Sequence, residues 1–240
     1  MKKYETLIFD LDDTLIDNYI SAKFAFEQTL KLLSIPYNDE IFERWLTFEK
    51  QYWSAFEKNE LSFLDNITTI KDKIEFVRAK RFVLFFKPFN LSLEDSFKIN
   101  EYYCELLGYN IIQIEGAADT LKDLSKNHEI VVATNGPKNA ATNKVKKAKL
   151  DSYISEIVSS EETGSSKPNK EFYDYLYKKI QNKNKETMIM IGDSLSTDVL
   201  GGMNNGIDSC WFNPKKTPLP EKYKPTITIE NLPQLKKKLR

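Results

Sequence analysis

The pattern of apolar and polar residues changes twice along the chain. Near the start, a short apolar run at residues 7–9 predicts a buried strand. From about residue 18 to 110, apolar residues recur at helical spacing, and no glycine occurs before Gly108. Beyond Gly116, short apolar runs alternate with amphipathic stretches, which is typical of strands alternating with helices. The pattern predicts an α/β protein with an all-helical segment inserted after its first strand.

Two domains follow from this pattern. The helices predicted within the insertion cover residues 24–33, 41–53, 70–85 and 93–107. After the insertion, helices 117–126, 138–150, 170–180 and 197–205 alternate with strands 130–133, 154–158, 188–191 and 207–212, and a last short strand and helix follow. Strands that alternate with helices favour a parallel sheet covered on both faces. We predict a Rossmann-like doubly wound core, residues 1–16 and 112–240, and a helical cap, residues 17–111.

Polar residues follow three of the predicted strands. Asp10 comes directly after the first strand, Thr134 after strand 130–133, and Asp193 one glycine after strand 188–191. Ligands of an open parallel sheet bind at the carboxyl ends of its strands. Three such placements at one edge predict a binding or catalytic site there.

The residue types around these positions indicate that the site binds a cation. Asp10 and Asp12 are close carboxylates that repel each other unless a cation lies between them. Magnesium, which is bound by one or two carboxylates together with phosphate oxygens, meets that need. Asp198 and Lys167 are placed where they can reach the same edge. The alternative interpretation is a strand followed by an acidic turn, with Asp13 as a helix cap.

Four segments in this order resemble the motifs of the haloacid-dehalogenase superfamily of phosphatases. They are residues 10–14 (DLDDT), 132–136 (VATNG), 167–168 (KP) and 192–198 (GDSLSTD). The helical insertion between the first two motifs resembles the smaller cap of that superfamily. Residues 201–206 (GGMNNG) and 210–214 (CWFNP) are most similar to its cytosolic pyrimidine 5′-nucleotidase branch.

The resemblance implies a role for each motif residue. Asp10 would attack phosphorus to form an aspartyl-phosphate, and Asp12 would protonate the leaving oxygen and then activate water. Mg²⁺ would be held by Asp10, the backbone carbonyl of Asp12, Asp193 and Asp198. The substrate's phosphate would be held by Thr134, Asn135 and Lys167. The implied function is magnesium-dependent hydrolysis of a small phosphomonoester.

Several alternatives stay open. A phosphomutase shares all four motifs, whereas a C–X dehalogenase needs no acid for an ester oxygen, so Asp12 favours phosphoryl transfer. A binding protein that had lost turnover would be expected to lack a catalytic carboxylate, and none is missing. Among substrates, nucleoside 5′-monophosphates are favoured over phosphoglycolate or small sugar phosphates. The reasons are the aromatic-rich cap, with Arg78, Lys80 and Arg81 predicted near the leaving group, and the branch that the chain resembles.

Composition excludes other classes of function. Thirty-five basic residues balance thirty-five acidic ones, which gives no reason to expect a nucleic acid polymer or a membrane surface as partner. No apolar stretch has the length of a signal peptide or of a membrane span. Cys104 and Cys210 lack metal-site spacing and are predicted to be free, buried thiols of a reducing, cytoplasmic compartment. The single histidine, His128, is predicted in a surface turn.

Overall fold

The chain folds into two compact units. A computed structural model describes residues 2–58, 60–64, 70–181 and 184–239. The core unit comprises Met1–Ile20 and Ile111–Arg240, and the cap unit comprises Ser21–Asn110. The predicted cap was therefore four residues too long at its start and one at its end. Residues 17–20 belong with the core, because Asp17 N–H donates a hydrogen bond to the carbonyl of Ile112 (2.9 Å).

The core unit contains a six-stranded, all-parallel sheet. Its strands are β1 Thr6–Phe9, β2 Glu129–Thr134, β3 Glu156–Ser159, β4 Met188–Gly192, β5 Asp208–Phe212 and β6 Ile227–Ile229. Their spatial order is β3-β2-β1-β4-β5-β6. The strand order reverses between β1 and β4, as in a doubly wound sheet, which confirms the predicted fold class.

Ten α-helices lie within the described residues. They are α1 Asn18–Leu32, α2 Asp39–Glu57, α3 Ile70–Phe85, α4 Leu93–Leu106, α5 Ala117–Leu124, α6 Lys138–Lys147, α7 Ser160–Thr163, α8 Lys170–Lys179, α9 Leu200–Asn205 and α10 Leu235–Lys238. The predicted helix 197–205 is in fact a π-helical turn, Leu195–Val199, followed by α9. The sequence interpretation missed α7, a single turn that begins with a capping box formed by Ser159 and Glu162. Among the described residues, no helix is both long and apolar enough to cross a bilayer.

The sheet is covered on both faces, which explains its continuously apolar strands. Leu7 and Phe9 of β1 point into one hydrophobic cluster, and Ile8 points into the other. The first cluster includes residues of α5, α6 and α10, and the second includes residues of α8. Both faces of the central strands are therefore used for packing, which leaves the strand ends as the places where polar side chains can gather.

Aromatic rings build the interior of the cap unit. The Trp45 ring lies parallel to Phe26 and Phe82, with centroid distances of 5.1 Å to each. Most of the other rings of α2 belong to the same cluster or to an adjoining one with Tyr52. These rings pack against one another, so their abundance in the sequence is explained by the packing of the cap unit and does not indicate a base-binding surface.

Arg81 is also part of this interior. Its side chain is only 6% exposed, and its Nη1 donates to Glu49 Oε1 at 2.7 Å. The guanidinium lies 4.9 Å from the centroid of the Phe82 ring and 5.6 Å from that of Trp45. The expectation that Arg81 faces a leaving group is therefore wrong, because its charge is used within the cap. Arg78 is buried as well.

Arg81→Met is expected to lower the free energy of unfolding by about 3–5 kcal/mol, because it leaves the Glu49 carboxylate without its partner. Urea unfolding followed by tryptophan fluorescence, to which Trp45 and Trp53 contribute, measures this loss. The control is Arg44→Met, the same change at an exposed position of α2. Equal losses in the two variants would contradict a stabilising role for the Glu49–Arg81 pair.

Candidate active site

The register of the sheet brings the predicted site residues to one edge. Phe9, the last residue of β1, pairs with Val132 of β2 and with Ile191 of β4. The three strands therefore end nearly level, and Asp10, Thr134 and Asp193 follow them. The β1–β4 junction, where the strand order reverses, is where ligands of this architecture bind.

Lys167 lies at the centre of this edge. Its Nζ donates to Asp10 Oδ1 at 2.6 Å and to Asp198 Oδ1 at 2.7 Å, and all three residues are buried. The side chain of Asn135 holds the backbone of Lys167 from both sides. It accepts from Lys167 N–H at 2.8 Å and donates to the Lys167 carbonyl at 3.2 Å. The side-chain amide of Asn135 thus positions Lys167.

Asp193 and Asp198 are held by the segment that follows β4. Asp193 N–H donates to Thr14 Oγ1 (3.1 Å), and the indole N–H of Trp211 donates to the Asp193 carbonyl (2.9 Å). Asp198 Oδ2 accepts from Ser194 N–H at 3.1 Å. A Cβ at position 192 would lie 2.1 Å from that same oxygen, so glycine is required for the close approach of Asp198 to the end of β4.

Three carboxylates are close enough to hold one metal ion. Asp10, Asp193 and Asp198 each offer an oxygen, and these oxygens lie within 4.8 Å of one another. Opposite ligands of one magnesium ion are about 4 Å apart, so small side-chain rotations bring the set into range. Three carboxylates against the single Lys167 ammonium leave an excess of negative charge. A divalent cation fits this donor set.

Burial changes the ionisation of the cluster. It raises the pKa of Asp10 above the ordinary value, and the nearby Lys167 ammonium partly opposes this. Burial, reinforced by the charge of Asp198, raises the pKa of Asp193 to about 7. Burial alone would lower the pKa of Lys167, but the charges of Asp10 and Asp198 outweigh it and raise that pKa. Lys167 is therefore a permanent cation at neutral pH.

Asp12 and Asp13 have hydrogen-bond partners outside this cluster. Asp12 Oδ1 accepts a hydrogen bond from Lys144 Nζ, and the carboxylate is 29% exposed. The resemblance implies that Asp12 meets the ion through its backbone carbonyl, and the pairing of its carboxylate with Lys144 is compatible with that role. Asp13 adopts a left-handed conformation (φ 61°), and its Oδ1 accepts from Asn18 N–H (3.0 Å) at the start of α1. Asp13 lies five residues before the first residue of α1, and the cap-type contact is made by Asp17, whose Oδ1 accepts a hydrogen bond from Ile20 N–H (3.4 Å).

Thr134 lies where the sequence predicted it, at the end of β2. Thr134 is 2% exposed, and its hydroxyl oxygen accepts a hydrogen bond from Gly136 N–H at 2.9 Å. With that lone pair occupied, the hydroxyl proton is the group that Thr134 can offer to a ligand oxygen.

Sequence reasoning missed three residues of this region: Thr14, Trp211 and Lys144. The place of Thr14 in the first motif is a sign in the sequence that it belongs to the site. Trp211 looks in the sequence like an ordinary strand residue. Lys144 had a detectable signal. It occupies an inward-facing position of α6 between Ala140 and Ala148, where an apolar residue is expected.

The comparison with known proteins agrees with this arrangement. A model of the haloacid dehalogenase-like hydrolase family matches residues 4–206. The chain belongs to that family. Its similarity to individual members extends over almost the full length of both chains.

Three relatives show how far this similarity reaches. A solved structure of the HAD-hydrolase YfnB from Bacillus subtilis, described as bound to magnesium and as revealing interdomain movement, superposes with a TM-score of 0.86 at 29% identity and covers 100% of both chains. The pyrimidine 5′-nucleotidase YjjG of Escherichia coli is 26% identical over 99% of this chain and 98% of its own. The pyrimidine 5′-nucleotidase PynA of Streptococcus pneumoniae is 29% identical over 94% and 91%.

Proposed function

We propose that this protein is a magnesium-dependent phosphomonoester hydrolase that acts on nucleoside 5′-monophosphates, pyrimidine nucleotides first. The observation that carries the hydrolase part is the Asp10 carboxylate. It lies buried at the end of the central strand, with its Oδ1 2.6 Å from the Lys167 ammonium and with two further carboxylates, those of Asp193 and Asp198, beside it. This is a nucleophile placed among groups that bind a cation and a phosphoryl group.

The first chemical step is proposed to occur at Asp10. A carboxylate oxygen of Asp10 attacks phosphorus, the bond from phosphorus to the ester oxygen breaks, and Asp12 gives its proton to that oxygen. The products are an alcohol and an aspartyl-phosphate. Thr134 and Lys167 bind phosphoryl oxygens and stabilise their negative charge.

In the second step, water takes the place of the alcohol. Asp12, now ionised, accepts a proton from the attacking water, and the bond between phosphorus and Asp10 breaks. Inorganic phosphate leaves, and Asp10 and Asp12 return to their starting states. Asp10, Asp193 and Asp198, with the Asp12 carbonyl, would hold Mg²⁺, which supplies charge neutralisation for the phosphoryl group when bound.

The substrate class rests on the relatives and not on the cap rings. Two of the relatives that match nearly the whole chain are pyrimidine 5′-nucleotidases. The dense rings of the cap unit stack on one another, which removes the argument that their number alone favours a base.

A phosphate-release screen with magnesium tests the substrate class. Pyrimidine nucleoside 5′-monophosphates, including deoxy forms, are expected to have kcat/KM values at least roughly tenfold above those of phosphoglycolate and hexose phosphates. A tenfold ratio corresponds to ~1.4 kcal/mol of additional transition-state binding. If a small sugar phosphate exceeds every nucleotide by that margin, the nucleotidase proposal fails and the hydrolase proposal remains. A requirement for a bisphosphate activator with little phosphate release would indicate a mutase.

A further inference from the structure

Helix α6 carries a buried lysine outside the cluster around Lys167. Lys144 is 2% exposed and lies on the same face of the helix as Ala140, Ala141, Val145 and Ala148, which are all buried. An ammonium group in such a place is strongly destabilising unless it is paired and hydrogen-bonded. The contacts of Lys144 therefore indicate why the charge is there.

Both contacts of the Lys144 ammonium lie in the segment that follows β1. Nζ donates to Asp12 Oδ1 and, at 2.9 Å, to Asn18 Oδ1. Within the described part of the chain, the hydrogen bond that the Asp12 carboxylate accepts comes from Lys144. The other carboxylate oxygen, Oδ2, lies on the side of Gly136, 3.6 Å from where a Cβ of that residue would stand.

We propose that Lys144 is a positioning residue for Asp12. This inference rests on the proposed function, in which Asp12 exchanges protons with the leaving oxygen and with water. Each of the two carboxylates proposed to react has its own buried lysine: Lys167 holds Asp10, and Lys144 holds Asp12. Lys144 approaches from α6, so this helix sets the direction of the acid–base group independently of the cluster that holds the nucleophile.

The geometry favours this role over a purely structural one. If residue 144 only joined α6 to the segment after β1, a neutral side chain hydrogen-bonded to Asn18 would be enough. No charge would then need to be buried. The charge meets Asp12, whose side chain is 29% exposed and has two rotatable bonds. Displacement of a reacting group by about 1 Å can reduce a rate by roughly a hundredfold.

The test compares leaving groups. Lys144→Met, Lys144→Arg and the matched control Lys146→Met, an exposed lysine of the same helix, are assayed in single turnovers with uridine 5′-monophosphate and p-nitrophenyl phosphate. p-Nitrophenol needs little protonation as it leaves, whereas the nucleoside needs a proton. Loss of Asp12 positioning should therefore slow the first step at least about tenfold more for the nucleotide than for p-nitrophenyl phosphate. This is part of the ~10²–10⁴-fold rate increase that acid–base catalysis contributes. Breakdown of the phosphoenzyme should slow equally after either substrate. Lys144→Arg should restore much of the difference, and Lys146→Met should match the wild type.

A double-mutant cycle separates action through Asp12 from general damage. In an Asp12→Asn background, Lys144→Met should cause little further loss in the first step, because the group that Lys144 positions is already inactive. If Lys144→Met does not fold, Lys144→Gln, which is one atom shorter and keeps a donor but no charge, takes its place in both tests. Equal losses on the two substrates, or additive losses in the cycle, would overturn the inference while leaving the hydrolase proposal intact. A wild-type protein that releases phosphate from neither substrate would overturn both.

Discussion

Asp10→Asn is expected to reduce turnover by about 10⁴-fold or more, the scale seen when a covalent nucleophile is removed. The amide has nearly the shape of the carboxylate but cannot attack phosphorus. Its oxygen can still accept the hydrogen bond from Lys167, which in the wild type is 2.6 Å long. The fold should therefore persist. Steady-state phosphate release and thermal unfolding of the same preparation measure the two quantities.

The matched control is Asp13→Asn, three residues along. Asp13 accepts a hydrogen bond from Asn18 N–H, and an asparagine can accept the same bond and adopt the same left-handed backbone. This variant should keep most of the activity. Retention of more than about a tenth of wild-type activity by Asp10→Asn, a loss of only ~1.4 kcal/mol in the barrier, would show that Asp10 is not the nucleophile.

Asp193→Asn is expected to remove most of the stabilisation of the fold by magnesium. In the wild type, Mg²⁺ at about a hundred times its dissociation constant should stabilise the fold by ~2.7 kcal/mol, or roughly 5–10 °C in Tm. The variant lacks one of the three carboxylates of the cluster and should show little of this shift. Thermal unfolding with magnesium or with excess chelator gives the result without any assay of activity.

The same variant should be more stable than the wild type in chelator at pH 8. Burial and Asp198 raise the pKa of Asp193 to about 7 in the folded state, above the ~3.9 of an unfolded aspartate. The folded wild type therefore binds more protons than the unfolded chain between about pH 4 and pH 7, and its stability falls as the pH rises through that window. An asparagine has no charge to lose or gain, so its advantage should appear at pH 8 and disappear near pH 5.

The exposed residue Asp151 provides the control for both measurements. Asp151→Asn should follow the wild type in its magnesium response and in its pH dependence. An equal magnesium shift in wild type and Asp193→Asn would place the ion elsewhere. An unchanged pH dependence in Asp193→Asn would show that this carboxylate ionises as it does in the unfolded chain.

The sequence alone predicted much of the architecture. The apolar runs of β1, β2 and β4 are continuous because both faces of a doubly wound sheet are covered, and this pattern is visible without a structure. The third helix was predicted to cover residues 70–85, and the structure has α3 at Ile70–Phe85. Asp10, Thr134 and Asp193 could be placed at one edge because the carboxyl ends of parallel strands necessarily share it.

Errors in the prediction of elements came from local capping and from backbone hydrogen bonds. The turn α7 depends on a side-chain capping box, and the start of the cap depends on the Asp17 bond to Ile112. Cys104 was predicted to be buried but is partly exposed, whereas Cys210 is buried, and both are free thiols. Exposure at a helix surface depends on which neighbours pack there, and hydrophobic spacing does not specify them.

The partners of the polar side chains were decided by the tertiary structure. Asn135 uses its amide on the Lys167 backbone, Arg81 is used inside the cap, and Lys144 pairs with Asp12 across 132 positions of sequence. Sequence periodicity reports which face of a strand or helix is buried, since that depends on near neighbours. It does not report which charges meet within the buried volume, because that depends on how distant elements pack. The chain's pattern determined the sheet edge at which chemistry occurs, and packing determined which side chains are held there and by what.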